Sequence, residues 1–189
     1  MIFRYPLVPK IFYIITMGKR VLGFEIDAIT NSIKNVISGD SFQTEIYRLA
    51  KTDLKLITKK NKWNFNWKSE FESNAKEVYK LTIVNNPNII QGLLSLSIEQ
   101  GHIYINLLEN APFNIGKKKI YEGVAANLIA YACKISFQHG FDGFVAFDAK
   151  TKLIEHYKNV LNAKLIGSQR MIIETTAASV LIGKYFKNE

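Results

Sequence analysis

A chain of 189 residues with 48% hydrophobic content holds one domain with a sizeable core, and its net charge of +9 favours an anionic ligand or partner. The single cysteine, Cys133, excludes an intramolecular disulfide and suits a reducing cytoplasm; placed on the apolar side of a helix, it reads as buried and inert. His102, His139 and His156 are scattered without metal-ligand spacing, so no metal site is expected.

Residues 1–17 read MIFRYPLVPKIFYIITM. Pro6, Pro9 and Lys10 interrupt its apolar residues, and the unbroken stretch after Lys10 is far shorter than the roughly 20 residues that span a bilayer. No membrane association is expected. Met17 precedes Gly18-Lys19-Arg20 and a good strand pattern, so residues 1–17 read as an N-terminal extension and 18–189 as one domain. Either Met17 is the natural start, with the first 16 residues upstream of it, or the extension is a strand or arm packed on the domain. Val21 to Ile29 alternates, with Leu22, Phe24 and Ile26 on one side and Glu25 and Asp27 opposite; Asn31, Ser32 and Ser38-Gly39-Asp40 then mark turns.

A strand from Thr44 to Leu49 comes next, and Lys51-Thr52-Asp53 opens a helix carrying Leu54, Leu56 and Ile57. The polar run Thr58 to Lys62 leads to Trp63-Asn64-Phe65-Asn66-Trp67, which holds both tryptophans. Their spacing places three rings on one side of an extended segment, where they either anchor a loop in the core or wall a pocket. Val78 to Val84 and Ile89 to Ile98 flank the turn Asn85-Asn86-Pro87-Asn88, and Gly101 separates the second from His102 to Leu108; this is an antiparallel meander.

The stretch from Ile103 to Gly140 organises the chain. An apolar strand runs into a basic glycine-containing turn, and a helix starting near Gly123 carries Val124, Leu128, Tyr131 and Ile135 at helical spacing, stopping at His139-Gly140. The first N–H groups of a helix lack internal partners and carry the positive end of its dipole, so a turn of small residues there is an anion site. Gly123 and Ala125 permit close approach, and Lys117, Lys118 and Lys119 add positive charge. The same residues also fit an ordinary strand-to-helix connection with a solvated lysine run. The turn is neither a Walker A loop nor the GxGxxG of a dinucleotide fold. Beyond it, Gly143 to Phe147 is a short strand whose crossover should be parallel and right-handed. Thr151 to Val160 is a helix, Ala163 to Gly167 and Arg170 to Glu174 form a hairpin, and Thr175 to Phe186 is a last helix with Ala178, Leu181, Ile182 and Tyr185 inward.

This order, from Thr44 to Glu174, resembles the GNAT acyltransferase superfamily. The resemblance implies an α/β (α+β) fold, a mixed, mostly antiparallel sheet with helices on both faces, and acetyl-CoA bound between splayed fourth and fifth strands. Gly123-Val124-Ala125 matches the superfamily's pyrophosphate turn, while its Arg or Gln position is Ile120 and the loop from Pro112 is longer than usual. Tyr157-Lys158-Asn159-Val160-Leu161-Asn162-Ala163 is similar to the superfamily's Tyr-x-x-Leu-Gly-Phe segment, with one residue more and Asn in place of Gly.

The implied reaction is direct attack of an amine on the thioester, which needs two positioned substrates, a proton acceptor and an oxyanion donor. The resemblance gives the backbone at Leu107 and Leu108 to the thioester, Gly123, Val124 and Ala125 to the pyrophosphate, and Tyr157 to the departing thiolate as proton donor; Lys117, Lys118 and Lys119, in the loop's extra length, are candidates to add charge beside the pyrophosphate. Glu109, ending the strand, is the best-placed base, with Glu25 and Asp27 as further candidates. The acceptor amine is open: a small amine, a protein amine, or an aminoacyl-tRNA, the last supported by Lys51, Lys55, Lys59, Lys60, Lys62 and Lys68 interleaved with aromatic rings. The rival reading is a non-catalytic interaction module keeping the fold, supported by Ile120 and Asn162. Either is compatible with RNA contact or with a homodimer.

Overall fold

The computed structural model describes residues 32–186; the N-terminal extension, the strand expected from Val21 to Ile29, and Glu25 and Asp27 lie outside them. The described chain opens with a short hairpin, β1 (Ile33–Asn35) and β2 (Ser41–Phe42), turned by Asn35, whose Oδ1 accepts from the N–H groups of Ile37 and Ser38. Next come β3 (Thr44–Arg48), two 3-10 turns (Lys51–Lys55 and Lys59–Asn61), and the one-turn α1 (Trp67–Phe71). The expected helix at Lys51 is thus only 3-10, because Asp53 turns back to accept from the Ala50 N–H and no apolar stripe continues beyond Ile57.

The meander is β4 (Glu77–Ile83), β5 (Gly92–Glu99) and β6 (His102–Asn110). A two-residue β7 (Tyr121–Glu122) precedes α2 (Val124–Gln138), which ends as expected at Gly140 with φ 74°. After β8 (Val145–Asp148) come α3 (Ile154–Leu161), the hairpin β9 (Lys164–Leu165) and β10 (Arg170–Ile173), and α4 (Thr175–Tyr185).

Seven strands form one sheet in the order β3-β4-β5-β6-β8-β10-β9, antiparallel throughout except for the β6–β8 pair. A separate small sheet, β2-β1-β7, ties the opening hairpin to the segment just before α2. One face of the main sheet, with Leu81, Leu94, Ile103, Ile105 and Phe147, shares an apolar cluster with α2, α3 and α4. The other face, with Val78, Leu93 and Leu107, packs against Trp63, Trp67, Leu49 and Ile57.

A β-bulge sets which way the end of β6 faces. Leu96 pairs with Ile105 but Ser95 pairs with Leu107, so Asn106 is an extra residue on β6. Side chains alternate along a strand, and one added residue reverses the alternation beyond it. Ile103 and Ile105 therefore face α2, while Leu107 switches to the tryptophan side. Glu109, two residues on, shares that side, and Leu108 faces α2 again.

Gly92 sits opposite Asn110 and lets α2 approach the sheet. A Cβ there would lie 2.7 Å from Val124 Cγ1 and 3.3 Å from the Glu109 carbonyl oxygen. Gly92→Ala should therefore cost about 1–3 kcal/mol by overpacking, read as a lower urea midpoint with unchanged slope. An unshifted midpoint would show that α2 does not need this contact.

Candidate functional site

Pairing between β6 and β8 runs only through Ile103↔Val145 and Tyr104↔Ala146. From Ile105 to Asn110, β6 has no residue paired with β8, which runs on only to Asp148, and this unpaired side of the strand is the candidate cleft. Leu107 and Leu108 lie on this stretch, both buried, with their main chain paired to β5 at Ser95 and Leu94.

The root of the cleft is closed by a polar cluster that no spacing in the sequence announces. Tyr104 of β6 donates to Asp148 Oδ2 of β8 at 3.1 Å, and Arg170 of β10 bonds the same carboxylate through Nε and, at 3.3 Å, Nη2. The Arg170 guanidinium also lies 4.7 Å from the centre of the Tyr104 ring. Burial, the Asp148 charge and the hydrogen bond to it push the Tyr104 hydroxyl up to about 12.

Gly123 opens α2 with φ 86°, a left-handed value that favours glycine. Val124, Ala125 and Ala126 are fully buried behind it. The lysine run does not abut the helix as expected, because β7 intervenes and pairs with β1. Lys117 and Lys118 are exposed, while Lys119 lies 3.8 Å from Glu122 across one turn. Ile120 is 39% exposed, its N–H bonded to the Phe113 carbonyl at 2.9 Å. The loop is pinned from inside by Asn114: its amide donates to the Gln91 carbonyl and side chain, and its oxygen accepts from the Tyr121 N–H.

Glu109 is not a strand end open to solvent. It is 4% exposed, and its carboxylate accepts from the Asn64 N–H at 2.7 Å, the Asn64 amide at 3.0 Å and the Trp67 indole at 2.7 Å. Those bonds resolve the aromatic segment: it is not extended, so its rings do not share one side. Trp63 and Trp67 are buried in the second cluster, and Phe65 is 40% exposed. Glu70 of α1 is buried too, held by Lys76 and the Ser95 hydroxyl. Beside Trp63, a cavity of about 470 Å³ opens at the end of β6, reaching Leu56, Lys62, Ile89, Ile90 and Phe113.

Tyr157 is 0% exposed and meets Phe147 edge-to-face at a centroid distance of 5.2 Å. Cys133 is fully buried in α2, and burial pushes its thiol up, away from nucleophilic use. Sequence reasoning missed Asn64, Asn106 and Asn114, because their roles are set by partners on other segments: Glu109 for Asn64, the β5 register for Asn106, and Gln91 and Tyr121 for Asn114.

No family model and no curated protein sequence matches the chain. Solved structures do match. A mutant form of the spermidine/spermine N-acetyltransferase SpeG from Vibrio cholerae is similar over 73% of this chain and 97% of that one, at 16% identity and TM-score 0.54. The Vibrio cholerae spermidine N-acetyltransferase in complex with CoA and spermine is similar over 72% and 98%, at 17% identity and TM-score 0.50. The chain has the fold of these GNAT acetyltransferases.

Glu109→Gln swaps one acceptor for a donor facing either Asn64 or Trp67, so stability should fall by about 1–3 kcal/mol in urea. Combined with Trp67→Phe the losses should be less than additive; full additivity would mean that the bond carries nothing. The hydroxyl of Tyr104 keeps its proton to about 12 when folded against the ordinary 10.0, so stability should be intact below 10 and decline between the two values. Tyr104→Phe should reduce that decline without abolishing it, because Tyr79, also raised to about 12, and the raised hydroxyl of Tyr131 and thiol of Cys133 contribute to the loss at high pH as well.

Proposed function

We propose that the protein is an N-acyltransferase that moves an acetyl group from acetyl-CoA to an amine by direct attack. The observation that carries this reading is the end of β6–β8 pairing after Tyr104, next to a helix start opened by Gly123 in a left-handed conformation. The cleft offers strand backbone on the side that β8 has left, and the helix start offers N–H groups to a pyrophosphate. A glycine-opened turn fits that group, and the small Ala125 keeps the approach open. Acetyl-CoA, when bound, supplies the acetyl group as an activated thioester.

The chain's own residues divide the work. Backbone at Leu107 and Leu108 orients the thioester and meets developing oxyanion charge. The N–H groups of Val124 and Ala125 take the pyrophosphate, with Lys117, Lys118 and Lys119 supplying longer-range attraction. Tyr157 is assigned the proton for the departing thiolate. Glu109 serves as a positioning residue: its three donors fix Asn64 and Trp67 at the mouth of the cleft, and the ammonium proton leaves through water.

Calorimetry with acetyl-CoA tests the core of this reading. Micromolar binding is expected, and Gly123→Val should abolish it, because a β-branched residue is strained at a positive φ and blocks the phosphate. Absence of binding by the native chain would remove the assignment. Tyr157→Phe should lower turnover by about a hundredfold with CoA affinity unchanged. Unchanged turnover would leave Tyr157 a core residue, and binding without any acetyl transfer would favour the non-catalytic module.

A further inference from the structure

The cavity at the end of β6 has a chemistry of its own. Trp63 and Ile90 form its buried wall, and Leu56, Ile89 and Phe113 stand at its mouth with exposures of 41%, 46% and 37%. Its volume of about 470 Å³ suits a small organic molecule with an apolar body.

Its charge is one-sided. The three stretches that supply its lining, residues 54–69, 78–98 and 110–121, contain no aspartate or glutamate. The first carries Lys55, Lys59, Lys60, Lys62 and Lys68, and the third carries Lys117, Lys118 and Lys119; of these Lys68 lies 3.7 Å from Glu72 and Lys119 3.8 Å from Glu122. Lys62 lines the cavity itself, is exposed, and has no ion-pair partner among the described residues. Its backbone is fixed at φ 65° as the cap of a 3-10 turn, its N–H bonded to the Lys59 carbonyl. Glu109, which immediately precedes the third stretch, is buried and turned to Asn64 and Trp67.

An apolar recess with the unpaired Lys62 in its lining and an excess of lysine on the flanking stretches attracts an anion with a hydrocarbon body and repels a polycation. We propose that this pocket binds amphipathic anions, molecules with an apolar body and a carboxylate or phosphate held by Lys62, and that the acceptor amine is drawn from that class. This rests on the acyl-transfer reading and separates the chain from the two Vibrio cholerae neighbours described above, which are named for spermidine.

The two tryptophans provide the readout. In a full-length sample labelled with ¹⁵N, the indole signals of Trp63 and Trp67 report the pocket and the Glu109 anchor separately, Trp63→Phe assigning them. Phenylpropionate should move the Trp63 signal and leave that of Trp67 in place, saturating at a concentration at least about tenfold below phenylpropylammonium. Phenyl phosphate, titrated in parallel, tells phosphate from carboxylate preference. Spermidine should move neither signal. Lys62→Glu should weaken phenylpropionate by at least about tenfold with the Trp67 signal unchanged, the sign of an intact fold.

Equal or tighter binding of the cation, a response that Lys62→Glu leaves intact, or acetylation of spermidine by the native chain would each overturn the proposal. Acetyl-CoA binding with no Trp63 response to the anion removes this proposal alone. A Trp63 response without acetyl-CoA binding removes the acyl-transfer reading and the acceptor role with it, and leaves only an anion pocket.

Discussion

The single extra residue at Asn106 is the constraint on which the site depends. Without it, Leu107 and Glu109 would continue on the α2 side with Ile103 and Ile105, and the aromatic segment would have no carboxylate to bind. With it, Glu109 is delivered under Asn64 and Trp67, while Leu108 and Asn110 return to the α2 face beside Gly92. The bulge also bends β6 locally, and the strand leaves β8 within the same few residues. One irregularity therefore sets both the cleft and the orientation of its mouth.

Much of this architecture is legible in the sequence because its signals are local. The meander follows from alternating apolar runs and turn residues, α2 from its helical spacing and the stop at Gly140, and the parallel crossover from a strand, a long helix and a short buried strand. The hairpin from Ala163 and the last helix lie within a residue or two of their expected bounds. The features that escape a sequence are non-local. Nothing in His102 to Asn110 marks Asn106 as the extra residue, because a bulge is a relation between two strands. The closure of the cleft root by Tyr104, Asp148 and Arg170 joins three strands, and no spacing in the chain encodes it. The role of Glu109 is likewise invisible there, since its partners precede it by 45 and 42 residues.

The lysine run shows how local patterns can place charge and still miss its setting. Along the sequence, Lys117 to Lys119 lead straight into the helix start, but in the fold β7 intervenes and is held by β1, with Glu122 near Lys119. The opening hairpin thus braces the turn before Gly123 from outside, and Asn114 braces it from inside through Gln91 and Tyr121. A turn fixed from both sides keeps its N–H groups in position without a polar side chain at Ile120. On the proposed reading, a preorganised backbone of this kind would lose less freedom when a pyrophosphate docks, which would offset the missing side-chain contact.

The far side of β6 is governed by the same kind of pairing. The buried acids near the cleft mouth are each engaged by neighbours: Glu109 by Asn64 and Trp67, Glu70 by Lys76 and Ser95. Their charge is therefore turned inward, and the outward field is left to the lysines between Asp53 and Glu70. Burying a carboxylate without partners is costly, so pairing these acids stabilises the fold while it keeps negative charge away from the mouth. The face proposed for the second substrate owes its positive character to the same bonds that hold the aromatic segment, so changing Glu109 or Glu70 alters stability and local charge together, whereas the exposed Lys62 can be changed without touching those bonds.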